Sequence, residues 1–566
     1  MRAGFSSSRR GLALLLIVSA GAAFGGEVAQ GTVRRASLET PSAALGGGAT
    51  YQASGYAGPL RLPPTGTPSI SYGFTIPDDF RSGPLTLEVQ VGSPSALCKV
   101  MLRARHLYRA RSGQARDSGA SDGGFEAVNA STPFSLLDAK KALLFQTAGV
   151  EHSVSLVRFK MAPNGAEFPA FQAGDAINFT IERRGNNPLD TCSEPLQWNA
   201  ASVVYDAFPS RPTKGLISLD PHASLDGRNG ATISDTGKIA PLRLPKNTPP
   251  PFPPASGWSF VLPEDYKTDT PVDLEVLWES ESSGCSIVVR PNYVFRSRTG
   301  FPRDHTLGTA TDAANGLTFL SASTPFAGFV VSAPVANRTG RLRFRIVPTP
   351  GTFASLQAGS AVQFGIFRSI AELDDTCGDI GFSGVSIAYS RGAAKNPRRA
   401  SLNSVGMDLQ EETSLYVSGA DAGVRVRPDG AIGTGFVLPD DYKPNTPITL
   451  QLLVESRDRN CTLTISPNSL NRSRPGVPRD LGNASGGLVP LGASSPFTLD
   501  DGLLHFSTGP TDVTISARFG ITTDSDVSTL RPADGIQVNL YRRDDSTDTC
   551  PNDFGIAGWS VVYQKQ

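Results

Sequence analysis

A pattern of three arginines and one aspartate, R-x-R-x-G-x-x-R-D, occurs three times, each time starting eleven residues after a cysteine. Guanidinium groups are planar and permanently charged, and three of them beside one turn can grip a carboxylate, sulfate or phosphate. The pattern predicts a repeated site for an anionic glycan or for an acidic patch on a neighbouring subunit. The alternative is a local pair between the third arginine and its aspartate on a solvated face, which contributes little. The candidate anion-binding residues are Arg109, Arg111, Arg116, Arg296, Arg298, Arg303, Arg472, Arg474 and Arg479.

Adjacent carboxylates also recur, in the pattern Pro-Asp/Glu-Asp-Tyr/Phe at the end of an apolar run. They are Asp78-Asp79, Glu264-Asp265 and Asp440-Asp441. Paired carboxylates suit calcium, but no D-x-D-x-D-G loop accompanies them, and acids after a proline are ordinary turn chemistry. We therefore predict turns and no metal site at these positions.

The chain has six cysteines, and two of them accompany each copy of the arginine pattern, one before it and one after it. They are Cys98, Cys192, Cys285, Cys377, Cys461 and Cys550. Six cysteines allow fifteen pairings, and the repetition favours one bridge inside each copy, with separations of 94, 92 and 89 residues. Closing a loop of that length contributes about 4–5 kcal/mol in the chain-entropy account. The alternative of reduced thiols or a zinc site lacks a close cysteine pair and a histidine repeated beside one.

An arginine and an aspartate also recur before each second cysteine. They predict a cross-strand salt bridge around each disulfide. The pairs are Arg183 with Asp190, Arg368 with Asp375, and Arg542 with Asp548.

Catalytic patterns give no candidate residue and no cofactor. The five histidines share no position among the copies, and no H-E-x-x-H, G-x-S-x-G or phosphate-binding loop is present. We therefore expect no enzyme activity. A glycan hydrolase that uses two carboxylates without a local motif is the third functional hypothesis.

The N-terminus predicts export. Residues 1–10 hold three arginines and no acid, and the short apolar run and small residues that follow complete a signal peptide over residues 1–26. The alternative, a membrane anchor, needs a longer apolar run. We expect a secreted protein, extracellular or periplasmic, without a membrane span after cleavage. Lys+Arg 52 balance Asp+Glu 52, which argues against nucleic-acid binding.

The chain contains three tandem copies of one domain, which we place at residues 34–206, 213–391 and 397–564. The motif F-x-[IL]-P-[DE]-D-[YF] starts at Phe74, Phe260 and Phe436. Period-two alternation in each copy, as at Ile177, Phe179 and Ile181, predicts half-exposed antiparallel strands. The fold class is therefore all-β, with three antiparallel β-sandwich domains. About 170 residues per copy favour a jelly roll over an immunoglobulin sandwich.

The motif at Phe74, Phe260 and Phe436, an Ala-Gly-Asp before an alternating strand, and a closing G-x-S-[VI]-x-Y together resemble a β-sandwich module of bacterial secreted proteins and phage virion components. The third copy departs from the order, with Ala533-Asp534-Gly535. The resemblance covers most of each copy and implies display, assembly or adhesion.

The leading functional hypothesis is a secreted, non-enzymatic structural or adhesive protein that builds an extracellular surface. Repeated weak contacts become strong by avidity if the joins hold the three faces in line. The predicted partners are a second copy of the chain or another surface protein, and acidic polysaccharide in the alternative that uses the arginine clusters. Residues 27–33 are expected to form a free arm that pairs with another subunit's open sheet edge.

Overall fold

The structure is a computed structural model. It describes residues 32–38, 44–51, 60–117, 124–163, 168–210, 212–220, 232–233, 242–246, 254–302, 304–307, 316–347, 355–393, 397–402, 408–409, 413–415, 424–456, 458–478, 480–482, 487–509, 513–522 and 529–566. The predicted signal peptide lies outside these residues.

The regular secondary structure of the described residues is all strand apart from a single-turn 3-10 segment at Asp138–Lys140. Repeat 1 contains β1 (Thr32–Leu38), β2 (Ala44–Gly46), β3 (Thr50–Tyr51), β4 (Leu60–Leu62), β5 (Ser69–Thr75), β6 (Leu85–Gly92), β7 (Lys99–Ala110), β8 (Phe125–Ala130), β9 (Phe134–Leu137), β10 (Ala142–Gln146), β11 (Val154–Met161), β12 (Ala176–Arg183) and β13 (Leu196–Ala207). Repeat 2 contains β14 (Lys214–Leu219), β15 (Thr232–Ile233), β16 (Leu242–Leu244), β17 (Ala255–Val261), β18 (Val272–Ser280), β19 (Cys285–Ser297), β20 (Asp304–Leu307), β21 (Leu317–Ala322), β22 (Phe326–Ala327), β23 (Val330–Ala333), β24 (Gly340–Ile346), β25 (Ala361–Arg368) and β26 (Ile380–Ser390). Repeat 3 contains β27 (Arg398–Leu402), β28 (Asp408–Leu409), β29 (Thr413–Leu415), β30 (Val424–Val426), β31 (Ala431–Val437), β32 (Ile448–Ser456), β33 (Thr462–Ser473), β34 (Asp480–Gly482), β35 (Leu488–Ala493), β36 (Phe497–Asp500), β37 (Leu503–Ser507), β38 (Ile515–Ile521), β39 (Gly535–Arg542) and β40 (Phe554–Tyr563).

Each repeat packs two antiparallel sheets face to face. In repeat 1 the core order is β4-β13-β6-β11 in one sheet and β5-β12-β7-β10 in the other, so consecutive core strands alternate between the sheets except at the β7–β10 pair. This alternation of two four-stranded sheets is the jelly-roll arrangement. Repeats 2 and 3 have the same order, with β16-β26-β18-β24 facing β17-β25-β19-β23, and β30-β40-β32-β38 facing β31-β39-β33-β37. The predicted all-β fold class of jelly-roll-like sandwiches is confirmed.

The first strand of each repeat lies along the closing strand. β1 pairs with β13 from Thr32 opposite Ala207 to Leu38 opposite Ala201. The prediction of a free arm is therefore wrong for Thr32 and Val33, which already pair within repeat 1. Residues 27–31 of that arm lie outside the described residues.

The second face of the central strands is buried as well, although alternation predicted half-exposed sheets. Ile177, Phe179 and Ile181 of β12 point into the sandwich core and are buried as expected. Asn178 and Thr180, on the opposite face, are also buried. Asn178 donates to Ser383 O of repeat 2, and the Thr180 hydroxyl is hydrogen-bonded to that of Ser71. The polar alternation therefore indicates an interface here and not a solvated surface.

The three repeats contact one another in a closed ring and not in a line. β5 of repeat 1 lies against β14 and β26 of repeat 2, and β17 of repeat 2 lies against β27 and β40 of repeat 3. β31 of repeat 3 returns to β1 and β13 of repeat 1. We call these contacts joint 1–2, joint 2–3 and joint 3–1. Because the same elements meet at each joint, the chain forms a pseudo-threefold trimer.

The cysteines pair as predicted, within each repeat. The bridges are Cys98–Cys192, Cys285–Cys377 and Cys461–Cys550, with Cα–Cα distances of 5.1, 4.9 and 5.2 Å. In each bridge the first cysteine lies at the start of a long strand, such as β7. The second cysteine lies in the loop before the closing strand, so the bridge joins that loop to the long strand.

A buried salt bridge supports each disulfide loop, as the repeated arginine and aspartate predicted. Arg368 has no exposed surface, and its Nε and Nη2 donate to Asp375 at 2.9 and 2.6 Å. It also donates to the carbonyl oxygens of Leu244 and Cys377. The bridge joins a strand end to the cysteine loop, however, and does not run across two paired strands.

Candidate functional site at the joints between repeats

The first arginine of each R-x-R-x-G-x-x-R-D pattern is fully buried. Arg296 lies opposite Asp304 across the β19–β20 pair, and its Nε donates to that carboxylate at 2.7 Å. Its Nη1 donates to the carbonyl oxygen of Val347 at 2.9 Å. Arg109 pairs with Asp117 in the same way. A buried charge requires such partners, so in repeats 1 and 2 the aspartate pairs with the first arginine. In repeat 1 the third arginine, Arg116, binds Glu279 instead.

The second arginine fixes the turn before the alternating strand. Arg111 donates to both oxygens of Asp175 at 2.7 and 2.6 Å, and Arg474 binds Asp534 at 2.8 and 2.6 Å. In repeat 2 the acid is replaced by Ser360, and Arg298 instead lies 3.8 Å over the ring of Phe301. These arginines therefore have internal roles.

The third arginine reaches another repeat where the structure describes it. Arg116 donates to Glu279 of repeat 2 at 2.6 Å, and the Tyr108 hydroxyl donates to the other oxygen of the same carboxylate at 2.6 Å. Burial and the adjacent Glu279 charge raise the pKa of Tyr108 well above its ordinary value. Arg303 and Arg479 lie outside the described residues.

The glycine turn of the arginine pattern docks on the next repeat at all three joints. The Gly113 N–H donates to Thr339 O at 2.8 Å, Gly300 N–H to Thr514 O at 3.0 Å, and Gly476 N–H to Val154 O at 2.9 Å. Each of these glycines has a φ between 82° and 84°, a region that residues with a Cβ rarely adopt. The pattern predicted as a ligand site is therefore a docking element in the part of the chain that the structure describes.

The repeated carboxylates lie in turns, as predicted. The second acid of each pair binds within its own repeat, and the first acid binds an arginine of another repeat. Tyr266 N–H donates to Pro263 O at 3.1 Å and closes the turn. The second acid, Asp265, accepts a hydrogen bond from the closing-strand Tyr389 at 3.1 Å. The first acid, Glu264, binds Arg399 of repeat 3 at 2.9 Å. The matching pairs of first acids are Asp78 with Arg391 of repeat 2, and Asp440 with Arg35 of repeat 1.

A serine from each first strand covers an open sheet edge of the preceding repeat. Unpaired backbone groups on such an edge invite pairing with other chains. The edge N–H groups instead donate to serine hydroxyls, at 2.7 to 2.9 Å. The pairs are Thr75 with Ser218, Val261 with Ser401, and Val437 with Ser37.

A side-chain amide also crosses each joint. These amides lie on the strand face that points away from the sandwich core, and each donates to a backbone carbonyl of the next repeat. They are Asn178 to Ser383, Gln363 to Ile556, and Gln537 to Asn199. Sequence reasoning missed them, although a polar residue at one repeated position of β12, β25 and β39 was the available signal.

The backbones at each joint approach so closely that a glycine must face an alanine. An ideal Cβ on Gly384 would lie 2.4 Å from the Cβ of Ala176. The joints 2–3 and 3–1 are equally tight. The corresponding distances are 2.8 Å for Gly558 and Ala361, and 2.6 Å for Gly535 and Ala200.

A cavity of about 290 Å³ lies where the three first strands meet. All three repeats line it. Its polar wall includes Arg35, Ser37, Ser218 and Asp220, and Phe74 and Phe436 supply apolar surface. Arg35 is committed to Glu88 and Asp440.

No family model matches the chain, and no curated protein matches it. Among solved structures, the N-terminal CBM22-1–CBM22-2 tandem domain from Paenibacillus barcinonensis Xyn10C is similar at 9% sequence identity. The alignment covers 64% of this chain and 98% of that chain, with a TM-score of 0.18. This score is too low to support a conclusion, so fold and function rest on the geometry above. No helix among the described residues is long and apolar enough to cross a membrane.

Proposed function

We propose that the protein is a secreted, non-enzymatic structural protein, a single-chain trimer of jelly rolls that acts in the assembly of an extracellular surface. The observation that carries the proposal is the docking of the R-x-R-x-G turn on the next repeat at all three joints. The glycine turns of the arginine pattern, which the sequence suggested as a ligand site, thus hold the three repeats together.

The joints combine features of a permanent interface. They hold half-buried ion pairs and amide-to-carbonyl hydrogen bonds. Apolar contacts add to these, such as Val261 and Ala361 of repeat 2 with Leu453 and Ala557 of repeat 3. Close backbone approach at Gly384 and Gly558 leaves little room for sliding. A rigid ring of three sandwiches presents several outer sides that neighbouring molecules can contact, which suits a structural unit in a larger assembly. The three disulfides agree with an oxidising compartment.

Binding of acidic polysaccharide through the arginine clusters stays a prediction, and its geometry is less favourable than the sequence indicated. Reversing the charge of Arg109, Arg296 and Arg472 is not a clean test, because each is fully buried. Such a change would place carboxylates beside Asp117 and Asp304 in the interior, so loss of folding would mask any loss of binding.

The test is multi-angle light scattering of the mature protein from dilute to concentrated solution, with and without alginate as the acidic polysaccharide. The proposal predicts growth of a self-assembled species without alginate. A monomer at every concentration that gains mass with alginate alone would overturn it in favour of glycan binding. A monomer under both conditions would also contradict assembly from a single component.

A further inference from the structure

On the outer side of each sandwich, one sheet ends in a hairpin. The strand of that hairpin at the edge of the sheet exposes an aromatic residue. Phe134 of β9 is 43% exposed, Phe326 of β22 is 46% exposed and Phe497 of β36 is 43% exposed. β9 and β36 are the terminal strands of their sheets, and β22 ends its sheet in the same place. An exposed apolar edge strand is a template for pairing with another chain unless something blocks it.

Repeats 1 and 3 carry matching apolar edges. β9 exposes Phe134 and Leu136, and β36 exposes Phe497 and Leu499, so both edges have the pattern Phe-x-Leu. The adjacent edge strand of the other sheet extends each patch. We define rim 1 as Val128, Phe134, Leu136 and the turn 138–141, and rim 3 as Val489, Leu491, Phe497, Leu499 and the turn 500–502.

The two rims carry opposite charge. The rim 1 turn holds Asp138, Lys140 and Lys141, with a net charge of +1, and the rim 3 turn holds Asp500 and Asp501, with a net charge of −2. The equivalent turn of repeat 2, after Phe326, is Ala-Gly and has no charge. Charge complementarity thus selects rim 3 as the match for rim 1.

The turn of rim 1 adopts an unusual backbone. Asp138, Ala139 and Lys140 have φ angles of 50°, 50° and 70°, three successive non-glycine residues in the left-handed region. Strained backbone of this kind concentrates at functional sites. In rim 3 a glycine, Gly502, takes part of the equivalent turn with a φ of 76°.

We propose that rim 1 of one molecule binds rim 3 of a second copy of this chain, edge to edge, with β9 against β36 and Lys140 facing Asp500. This inference rests on the proposed assembly function and names its surface. Because the two rims are different places on one chain, the contact is heterologous and repeats from molecule to molecule into an open filament or a larger ring. Repeat 2 is left outside this contact.

The test is sedimentation velocity of the full mature chain over a concentration series, with Lys140→Glu, Asp500→Lys and the double variant. Each single variant is expected to need about tenfold more protein for half-maximal association, because like charges then oppose each other. The double variant, and an equimolar mixture of the two single variants, should recover the wild-type value. A variant that failed to fold could not be rescued by mixing. Phe326→Ser is the matched control on repeat 2 and should leave association unchanged.

The outcomes separate the two proposals. Wild-type protein that stays monomeric overturns the assembly function and this inference together. Wild-type protein that associates while both single variants associate equally well overturns only the choice of rims. Association lost in both single variants without recovery in the double variant or the mixture also contradicts the Lys140–Asp500 pairing. If rim 1 binds a different purified surface protein and the chain does not self-associate, the partner of rim 1 is that protein and not a second copy of this chain.

Discussion

One added methyl group at Gly384 is expected to open joint 1–2. The new Cβ would lie 2.4 Å from the Ala176 Cβ, whereas carbon atoms in contact sit about 3.5–4.0 Å apart. Alanine has no rotamer to adjust, so the two sheets must separate by about 1 Å. Overpacking of this kind costs about 1–3 kcal/mol, and the expected loss of unfolding free energy for Gly384→Ala lies in that range.

Two variants isolate the steric cause. Gly149→Ala adds the same methyl group where the nearest side-chain atom is 3.7 Å away, and it should change stability by less than about 0.5 kcal/mol. The swap Gly384→Ala with Ala176→Gly should recover most of the loss. Joint 3–1 already has this reversed arrangement. There the glycine, Gly535, is on β39, the strand that corresponds to β12, and the alanine, Ala200, is on the closing strand β13.

The assay is urea unfolding monitored by tryptophan fluorescence, with the hydrodynamic radius measured in parallel. We expect a lower urea midpoint for Gly384→Ala than for the wild type, and a midpoint close to that of the wild type for the swap. If Gly384→Ala unfolds like wild type, or if the swap is less stable than either single change, the close approach of the two backbones at this joint is refuted.

Three further changes test the interior of the repeats. Cys98→Ser should cost about 2–5 kcal/mol in urea unfolding under oxidising conditions, and an unchanged midpoint would show that the bridge is dispensable. Arg368→Met leaves the Asp375 carboxylate buried without its partner, so a loss of about 3–5 kcal/mol is expected at pH 7; a loss under 1 kcal/mol would contradict a buried ion pair. Burial alone would raise the pKa of Glu88, but its bonds to Arg158 and Arg35 outweigh burial and lower it below the ordinary 4.5. The stability from Glu88 is therefore present above pH 4.5 and lost as the pH falls through the lowered pKa, so Glu88→Gln should flatten the acid side of the stability curve; equal acid sensitivity in both proteins would argue against these ion pairs.

The sequence carried enough information for the fold of one repeat. Alternation at Ile177, Phe179 and Ile181 identified a core-facing strand, and repetition resolved the cysteine pairing. Both signals are local to one domain or follow from comparing copies. They therefore do not depend on how the domains are arranged.

The ring could not be predicted in the same way, because alternation does not distinguish a face that meets water from one that meets a neighbour. A polar residue such as Asn178 between two apolar residues is compatible with a solvent-exposed face and with a buried joint. The arginine pattern was interpreted as a ligand site because guanidinium groups bind external and internal acceptors by the same chemistry. Only the placement of Gly113 against Thr339 distinguishes the two.

The most direct test of the closed ring is small-angle X-ray scattering on the monomeric fraction of the mature protein, eluted from a sizing column into the beam. A compact ring of this length predicts a radius of gyration of roughly 24 Å, whereas three sandwiches in a line would give about 36 Å. A value near 24 Å with a single symmetric peak in the pair-distance distribution is the expected result. A value near 36 Å would contradict joint 3–1 and the account built on it.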